Sequence, residues 1–291
     1  MSGPRKSLLD ALPKHKMVLN PKSYRMAHPV YAMKDLDEIK VTHREAKGIK
    51  DHTAKKMVQF CRYSFDKILL RGFDPKTCND ERTWLNRVIF LESIAGIPGM
   101  VGAMQRHMRS LRTLERDHGW IHHLLGEAEN ERMHLFLFLT MRNPGIPYRI
   151  ILAVAQVAVS NWYFLMYFLW PRWCHRWVGY LEEEAVHTYT QFLEAVDEGR
   201  LPAWKEMQAP RDAIEYYMLP PGNDKIRDML AAIRADEACH RDLNHHFADI
   251  PSWQDVENHE VTIVGCNEAG KKFSFNAAKL EEASQQKDKN Q

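Results

Sequence analysis

One motif that occurs twice limits the possible folds of this chain more than any other feature of its sequence. NERMH (130–134) and DEACH (236–240) both consist of an Asn or Asp followed by Glu-x-x-His. Residues three apart lie on the same face of an α-helix, so the Glu and the His of each motif can reach one metal ion. The repeat therefore indicates two helices that face a shared metal site.

A second pair of segments extends this internal repeat. FLES (90–93) and YLEE (180–183) share the order aromatic-Leu-Glu, and each precedes one of the two motifs. In chain order the candidate ligands are Glu92, Glu131, His134, Glu182, Glu237 and His240. Four carboxylates balance the charge of two Fe(II) ions, and four helices that supply such a set form a ferritin-like diiron bundle. The sequence thus predicts an all-α fold built on a ferritin-like diiron four-helix bundle.

Glu-x-x-His is a weak motif by itself, and it occurs twice more in this chain. Glu115 and His118 lie at a charged helix end before a glycine, and Glu184 and His187 belong to a more polar row than Glu182. Ordinary surface glutamates at chance spacing are the alternative interpretation. Carboxylates on apolar helix stripes are costly unless they are paired or bound to metal, so four of them in the expected order favour the metal site.

The remaining pattern is helical and divides the chain into three parts. Helices are predicted at about 55–70, 81–95, 100–119, 120–142, 150–170, 176–198, 210–218 and 224–247. GIPG (96–99) is expected to break the helical pattern, because proline and glycine end helices. We expect an extended N-terminal arm (1–50), a helical bundle (51–249) and a polar tail (250–291) with at most a short strand at 261–265.

Composition excludes several classes of protein. The formal net charge is +2, which is too mild to indicate nucleic-acid binding. The five cysteines are scattered and form no C-x-x-C pair, which argues against a disulfide framework or a structural zinc site. Residues 1–30 are basic and contain no apolar core of a signal peptide, so they are either a solvated tail or part of an organelle-targeting sequence.

Two segments have the composition of membrane-surface helices. Residues 150–170 carry no charge over 21 positions, a length that suits a transmembrane span, a buried bundle helix or a helix in the membrane interface. Aromatic residues followed by basic ones favour the interface, and residues 100–116 combine a Met/Val/Leu face with a row of arginines. We therefore expect additional amphipathic membrane-binding helices at about 97–117 and 148–178.

Four blocks resemble a known family. LESIAGIPGMVGAMQRHM, NERMHL, LEEEAVHTYT and RADEACHRDLNHHFA occur in this order within residues 84–248. They resemble the alternative oxidases, the mitochondrial ubiquinol oxidases of plants, fungi and trypanosomes. The resemblance implies a homodimer that lies on the matrix side of the inner mitochondrial membrane without crossing it. It also implies two iron ions as cofactor, and oxidation of ubiquinol with reduction of dioxygen to water, without proton pumping.

The resemblance also implies roles for individual residues. Glu92, Glu131, Glu182 and Glu237 match the iron-binding glutamates, and His134 and His240 match histidines that either bind iron or hydrogen-bond to the carboxylates. Tyr189 matches a tyrosine near the irons that is proposed to transfer electrons, although a core aromatic would fit the sequence equally well. The candidate catalytic residues are Tyr189, Glu182 and Glu92. Asn130 and Asp236 match residues that orient the ligands. The matches to the quinol pocket are Arg62, Asp66, Arg87, Leu91, Glu184, Ala185 and Thr188.

One position departs from the family pattern, and three rival functions stay open. Tyr217 occupies a place where the family often has tryptophan. A membrane-associated diiron hydroxylase of quinone biosynthesis would share the ligands but insert oxygen into its substrate. A ferritin-like iron-binding protein would need no quinol pocket, and a helical membrane-anchor protein would need no inward carboxylates.

Overall fold

The computed structural model of this chain describes residues 31–69, 72–251, 261–262 and 272–273. Within these residues the α-helices are α1 (Met33–Leu36), α2 (Gly48–Ser64), α3 (Glu81–Thr113), α4 (Trp120–Met141), α5 (Ile146–Leu169), α6 (Pro171–Asp197), α7 (Pro202–Lys205), α8 (Arg211–Tyr217) and α9 (Ile226–Asp249). A π-helical turn, Phe65–Leu69, continues α2. Two short strands, β1 (Val261–Thr262) and β2 (Lys272–Phe273), pair antiparallel.

Four long helices form the centre of the molecule. Helix α3 packs along α4, and α6 packs along α9, while α2 covers α6 and α5 packs against α3 and α6. The main core contains side chains that are at most 2% exposed, among them Trp84, Leu137, Phe192 and Ile233 from α3, α4, α6 and α9. The predicted all-α fold with a four-helix bundle is confirmed.

The predicted break at GIPG (96–99) is wrong, because α3 runs through it with Pro98 inside the helix. The glycines of this segment allow α3 and α4 to approach closely. A Cβ atom on Gly99 would lie 2.5 Å from the carbonyl oxygen of Leu124, and one on Gly96 would lie 3.3 Å from that of Ala128. Proline and glycine usually indicate a helix break, but here the small residues lie where α3 and α4 cross.

Other helix boundaries differ from the predictions by several residues. Helix α6 starts at Pro171 rather than near 176, because proline is favourable in the first turn and Trp170 before it is not helical. Helix α3 starts at Glu81 as predicted, where the side chain of Asp80 accepts hydrogen bonds from the backbone amides of Arg82 and Thr83. Strand β1 falls within the segment predicted as a short strand, although 263–265 lie outside the described residues. The boundaries of the arm, bundle and tail stay predictions.

Candidate metal centre

The six candidate ligands lie inside the bundle, although they come from four separate helices. Helix α3 supplies Glu92 and α6 supplies Glu182, whereas α4 and α9 each supply a Glu-x-x-His pair. Each of the six residues is at most 6% exposed: Glu92, Glu131, His134, Glu182, Glu237 and His240. Ionisable side chains are seldom buried to this degree unless they are paired or bind metal.

Four of these side chains converge tightly enough to hold one ion. One ligand atom from each of Glu92, Glu131, His134 and Glu237 lies within 4.8 Å of the other three. His134 Nδ1 is 3.4 Å from an oxygen of Glu92, 3.6 Å from one of Glu131 and 3.3 Å from one of Glu237. On the other side of Glu131, His240 Nδ1 lies 2.8 Å from Glu131 Oε1 without the alignment of a hydrogen bond.

Several polar atoms of the cluster lack hydrogen-bond partners. Among the described residues, Glu92 Oε2, both carboxylate oxygens of Glu131 and His134 Nδ1 are buried and have none. Buried polar atoms are normally satisfied, because leaving one unpaired costs about 1–3 kcal/mol. Carboxylate oxygens and imidazole nitrogens are ligands that iron accepts, so these residues fit a metal site.

The proton affinities of the four carboxylates are consistent with a site for cations. Burial, together with the charge of Glu131, raises the pKa of Glu182 to about 8, and burial raises that of Glu92 to about 7. Burial also raises the pKa of Glu237 well above its usual range. Burial would raise the pKa of Glu131 as well, but His134 and His240 beside it hold the pKa below its usual range. Without metal, several carboxylates must therefore hold protons that two cations could replace.

Asp236 fixes the orientation of His134. Its Oδ2 accepts hydrogen bonds from Tyr217 Oη at 2.9 Å and from Asn130 Nδ2 at 3.0 Å, and it lies 3.1 Å from His134 Nε2. Burial would raise the pKa of Asp236, but hydrogen bonds from His134 and Tyr31 hold the pKa below its usual range. An ionised Asp236 makes His134 Nε2 the donor and directs Nδ1 towards the carboxylates, as partners of metal-binding histidines do.

Tyr189 and Tyr217 are both explained by their contacts. The hydroxyl of Tyr189 donates to Glu92 Oε1, so the side chain that could be a core aromatic instead reaches the cluster. Tyr217, at the position where tryptophan is frequent in the family, uses its hydroxyl on Asp236. The neighbouring Tyr216 accepts from Asn130 at 2.9 Å, which makes Asn130 a bridge between α8 and Asp236.

A second buried polar layer lies beyond the ligands, and no sequence motif predicted it. Asn244 donates to both oxygens of Glu127, at 2.9 and 3.1 Å, and lies 3.1 Å from His175 Nδ1. His175 Nε2 in turn lies 2.9 Å from the hydroxyl of Tyr167. Glu127 precedes Glu131 by four residues, and His175 precedes Glu182 by seven. These helical spacings were the signal that could have revealed the layer.

A cavity of about 500 Å³ connects the cluster with the predicted quinol residues. Its wall includes the four candidate glutamates, Tyr189 and six of the seven predicted pocket residues, namely Arg62, Arg87, Leu91, Glu184, Ala185 and Thr188. Asp66 is not among the wall residues, but it accepts from Arg62 Nε at 3.0 Å and lies 3.2 Å from Arg87 Nη2. Arg62 also donates to Glu184 Oε2 at 2.8 Å and to Thr188 at 3.0 Å.

Comparison with known proteins identifies the family. The model of the alternative oxidase family matches residues 31–249. The mitochondrial alternative oxidase of Emericella nidulans is 46% identical over 239 residues, which cover 79% of this chain and 67% of that protein. The corresponding proteins of Aspergillus niger and Cryptococcus neoformans are 44% and 41% identical, with coverage of 77% and 87% of this chain and 66% and 68% of theirs.

The chain belongs to the alternative oxidase family. It is therefore an oxidoreductase, and the buried Glu/His cluster is the candidate centre of its chemistry. The match spans about two thirds of the length of these fungal relatives. The four signature blocks of the sequence thus led to the correct family, while the role of each residue in this family member rests on the geometry above.

Proposed function

We propose that this protein oxidises ubiquinol and reduces dioxygen to water at a non-haem diiron centre. The observation that carries the proposal is that one cavity joins Arg87 and Glu184 to the buried glutamates Glu92, Glu131 and Glu182. A substrate in this cavity would contact polar groups at one end and the cluster at the other. The iron-binding alternatives, storage or simple binding, would need no such cavity.

Glu92, Glu131, Glu182 and Glu237 would hold the two iron ions, with His134 and His240 facing them through Nδ1. When bound, iron would supply the redox chemistry that couples quinol oxidation to dioxygen reduction. Tyr189 would hold Glu92 in place through its hydroxyl, and Asp236 would hold His134. Burial of the ligands keeps bulk water away from the site.

The headgroup of the quinol would bind between Arg87 and Glu184. Arg87 is 1% exposed, and its Nε and Nη1 have no hydrogen-bond partner among the described residues, so both can donate to a quinol oxygen. Glu184 is held by Arg62 and offers a carboxylate that can accept the proton of a quinol hydroxyl. Leu91 and Ala185 would pack against the ring, and Thr188 would position Arg62.

The isoprenoid tail would leave the cavity towards α5. Ala158, Val159 and Trp162 of α5 belong to the cavity wall, and Val154 and Val157 of the same helix are each 65% accessible. Two helices, Glu81–Thr113 and Ile146–Leu169, are long and apolar enough to cross a membrane, but the first is half buried in the bundle. These features support monotopic attachment through α5 and the second half of α3.

The similar fungal proteins are named mitochondrial alternative oxidases, which supports a location in mitochondria for this protein. We propose the matrix side of the inner membrane, where ubiquinol is dissolved in the lipid. The homodimer that the family resemblance implies stays a prediction.

Oxygen uptake with a short-chain ubiquinol analogue tests the proposed function. The purified iron-loaded protein should consume one dioxygen for every two quinols, and cyanide should not inhibit it, because the proposed centre contains no haem. With labelled dioxygen, the label should appear in water. Label in the quinone would instead indicate a hydroxylase, and absence of quinol-dependent uptake would leave an iron-binding protein.

A further inference from the structure

The N-terminal arm contributes a hydroxyl group to Asp236, the residue that contacts the candidate ligand His134. Tyr31 precedes α1, a helix that packs on α9, and its side chain is only 9% exposed. Its hydroxyl donates to Asp236 Oδ1 at 2.6 Å. The same hydroxyl lies 3.4 Å from Cys239 Sγ, one turn further along α9. Because the single hydroxyl proton goes to Asp236, the Cys239 thiol must be the donor in the second contact.

The two oxygens of Asp236 are held very unequally. Oδ2 is contacted by three groups, His134 Nε2, Asn130 Nδ2 and Tyr217 Oη, at 2.9–3.1 Å. Among the described residues, Tyr31 is the only donor to Oδ1. Removal of one donor from Oδ2 would leave two in place, whereas removal of the Tyr31 hydroxyl would leave Oδ1 buried and unsatisfied.

We propose that Tyr31 is a positioning residue of the iron site, through which the docked arm sets the rotation of the Asp236 carboxylate. That rotation keeps Oδ2 against His134 Nε2 and so directs His134 Nδ1 at Glu92 and Glu237. The proposal rests on the proposed function, since it assumes that His134 faces iron. It predicts that the hydroxyl of Tyr31 is needed for tight binding of iron.

Iron affinity tests this role independently of turnover. Loss of a partner behind a metal ligand typically weakens metal binding by about 10- to 100-fold. Tyr31→Phe should therefore bind Fe(II) about 10- to 100-fold more weakly in competition with a chelator. Tyr217→Phe, which leaves two groups on Oδ2, should lose less. The matched control is Tyr148→Phe, which also loses a hydroxyl hydrogen bond, to the carbonyl of Asn86, away from the cluster.

Two further measurements separate positioning from folding. Circular dichroism of the metal-free proteins should show the same helix content for Tyr31→Phe and the parent. In steady-state kinetics with ubiquinol, the iron-loaded variant should lose kcat with little change in KM, because Tyr31 lies outside the cavity wall. A Mössbauer spectrum of bound Fe(II) should change in Tyr31→Phe and remain unchanged in Tyr148→Phe.

The iron affinity and the folding of these variants decide whether the positioning role and the proposed function hold. Equal iron affinity of Tyr31→Phe and the parent would overturn the positioning role and leave the proposed function intact. A Tyr31→Phe protein that fails to fold even with iron added would make Tyr31 a structural residue, which also overturns the inference. Failure of the parent protein itself to bind two irons would instead contradict the proposed function.

Discussion

Arg87 is the residue that best tests the proposed substrate site. Its guanidinium is buried, and burial lowers its pKa to about 10, yet Nε and Nη1 remain without partners. Its planar face lies over the rings of Phe65 and Phe73, at 5.3 and 5.0 Å. The third nitrogen, Nη2, lies 3.2 Å from Asp66 Oδ1 and pairs with that carboxylate. A ligand oxygen would satisfy the two donors that have no partner, so the residue can bind a substrate.

Replacing Arg87 with methionine should therefore weaken quinol use more than iron binding. A hydrogen bond from a charged group contributes about 1.5–3 kcal/mol, which corresponds to a loss of about 10- to 100-fold in kcat/KM. Steady-state oxygen uptake measures the loss, and iron analysis should still give two irons per chain. Arg82→Met, an exposed position on the same helix, is the control. An unchanged kcat/KM in Arg87→Met would contradict the assigned headgroup site.

The burial of His175 should make the free energy of unfolding depend on pH. Burial lowers its pKa to about 3, while an unfolded chain would have a value of about 6.5. Between these two pH values the unfolded chain binds a proton that the folded chain does not. The free energy of unfolding should therefore fall as the pH falls through this window, by about 1.4 kcal/mol per unit for this group.

Urea unfolding of the metal-free protein at several pH values between 4 and 6.5 measures this effect. His175→Gln should reduce the slope of stability against pH by about one proton. His52→Gln, at an exposed histidine, should leave the slope as in the parent. If the two variants had the same slope, His175 would not be the neutral group that links Asn244 and Tyr167.

At the scale of single residues, the sequence predicted candidate ligands but missed several of the buried polar residues behind them. A Glu and a His three apart on an apolar stripe can be recognised without a structure, because helical geometry fixes their common face. Tyr31 lies 205 positions from Asp236 in the chain, and no local pattern links the two. Glu127 lies four residues before Glu131 and Asn244 four residues after His240, so each shares a helix face with a candidate ligand. A polar residue at such a spacing is usually exposed to solvent, so the spacing alone does not reveal a buried contact.

Helix packing makes its own testable prediction at the crossing of α3 and α4. Gly99 has no room for a side chain, because an added Cβ would meet the carbonyl oxygen of Leu124 at 2.5 Å. Gly126, on the α4 helix beside it, has no atom within 4 Å of an added Cβ. The two glycines therefore differ in packing although both are helical.

The same substitution should have opposite effects at these two positions. Gly99→Ala should lower the free energy of unfolding by about 1–3 kcal/mol through overpacking. Gly126→Ala should raise it by about 0.4–1 kcal/mol, because alanine loses less backbone entropy than glycine in a helix. Thermal unfolding followed by circular dichroism gives both values. A Gly99→Ala protein as stable as the parent would show that α3 and α4 do not cross so closely.

The sequence predicted least well the helices whose ends depend on packing against other helices. The GIPG segment carries the local signals of a helix break, but α3 continues through it and packs closely against α4 at Gly96 and Gly99. The π-helical turn Phe65–Leu69 has no periodic signal either, yet it presents Asp66 to Arg62. Long, strongly periodic helices such as α9 were predicted to within about two residues at each end.

For the whole molecule, the exposed apolar surface supports the proposed attachment to a membrane. Helix α5 exposes ten large apolar side chains at 46–67%: Ile146, Ile150, Ile151, Val154, Val157, Phe164, Leu165, Phe168, Leu169 and Trp170 at its end. The second half of α3 adds Met100, Met104, Met108 and Leu111. A continuous apolar surface of this kind is typical of membrane attachment and is unusual on a monomeric soluble protein.

Two acidic substitutions on α5 should detach the protein from membranes. Val154→Glu combined with Val157→Glu should remove most binding to vesicles of mitochondrial lipid composition, measured by flotation, because charged groups are costly in the membrane interior. Ile49→Glu, at an apolar position on α2 that is 84% exposed, is the matched control. Full binding by the double variant would mean that another surface contacts the lipid.

The account depends most directly on iron bound by carboxylates from four helices. The test is the iron content of Glu182→Ala beside that of Glu184→Ala, two positions on one helix that both line the cavity. Glu182 is not one of the four side chains that converge most tightly, but it is 4% exposed and lines the cavity together with Glu131 and Glu237. If it is a ligand, its loss should leave less than two irons per chain and no oxidase activity. Glu184 is paired with Arg62, so its loss should leave two irons and impair only quinol oxidation. Two tightly bound irons in an active Glu182→Ala protein would contradict the account.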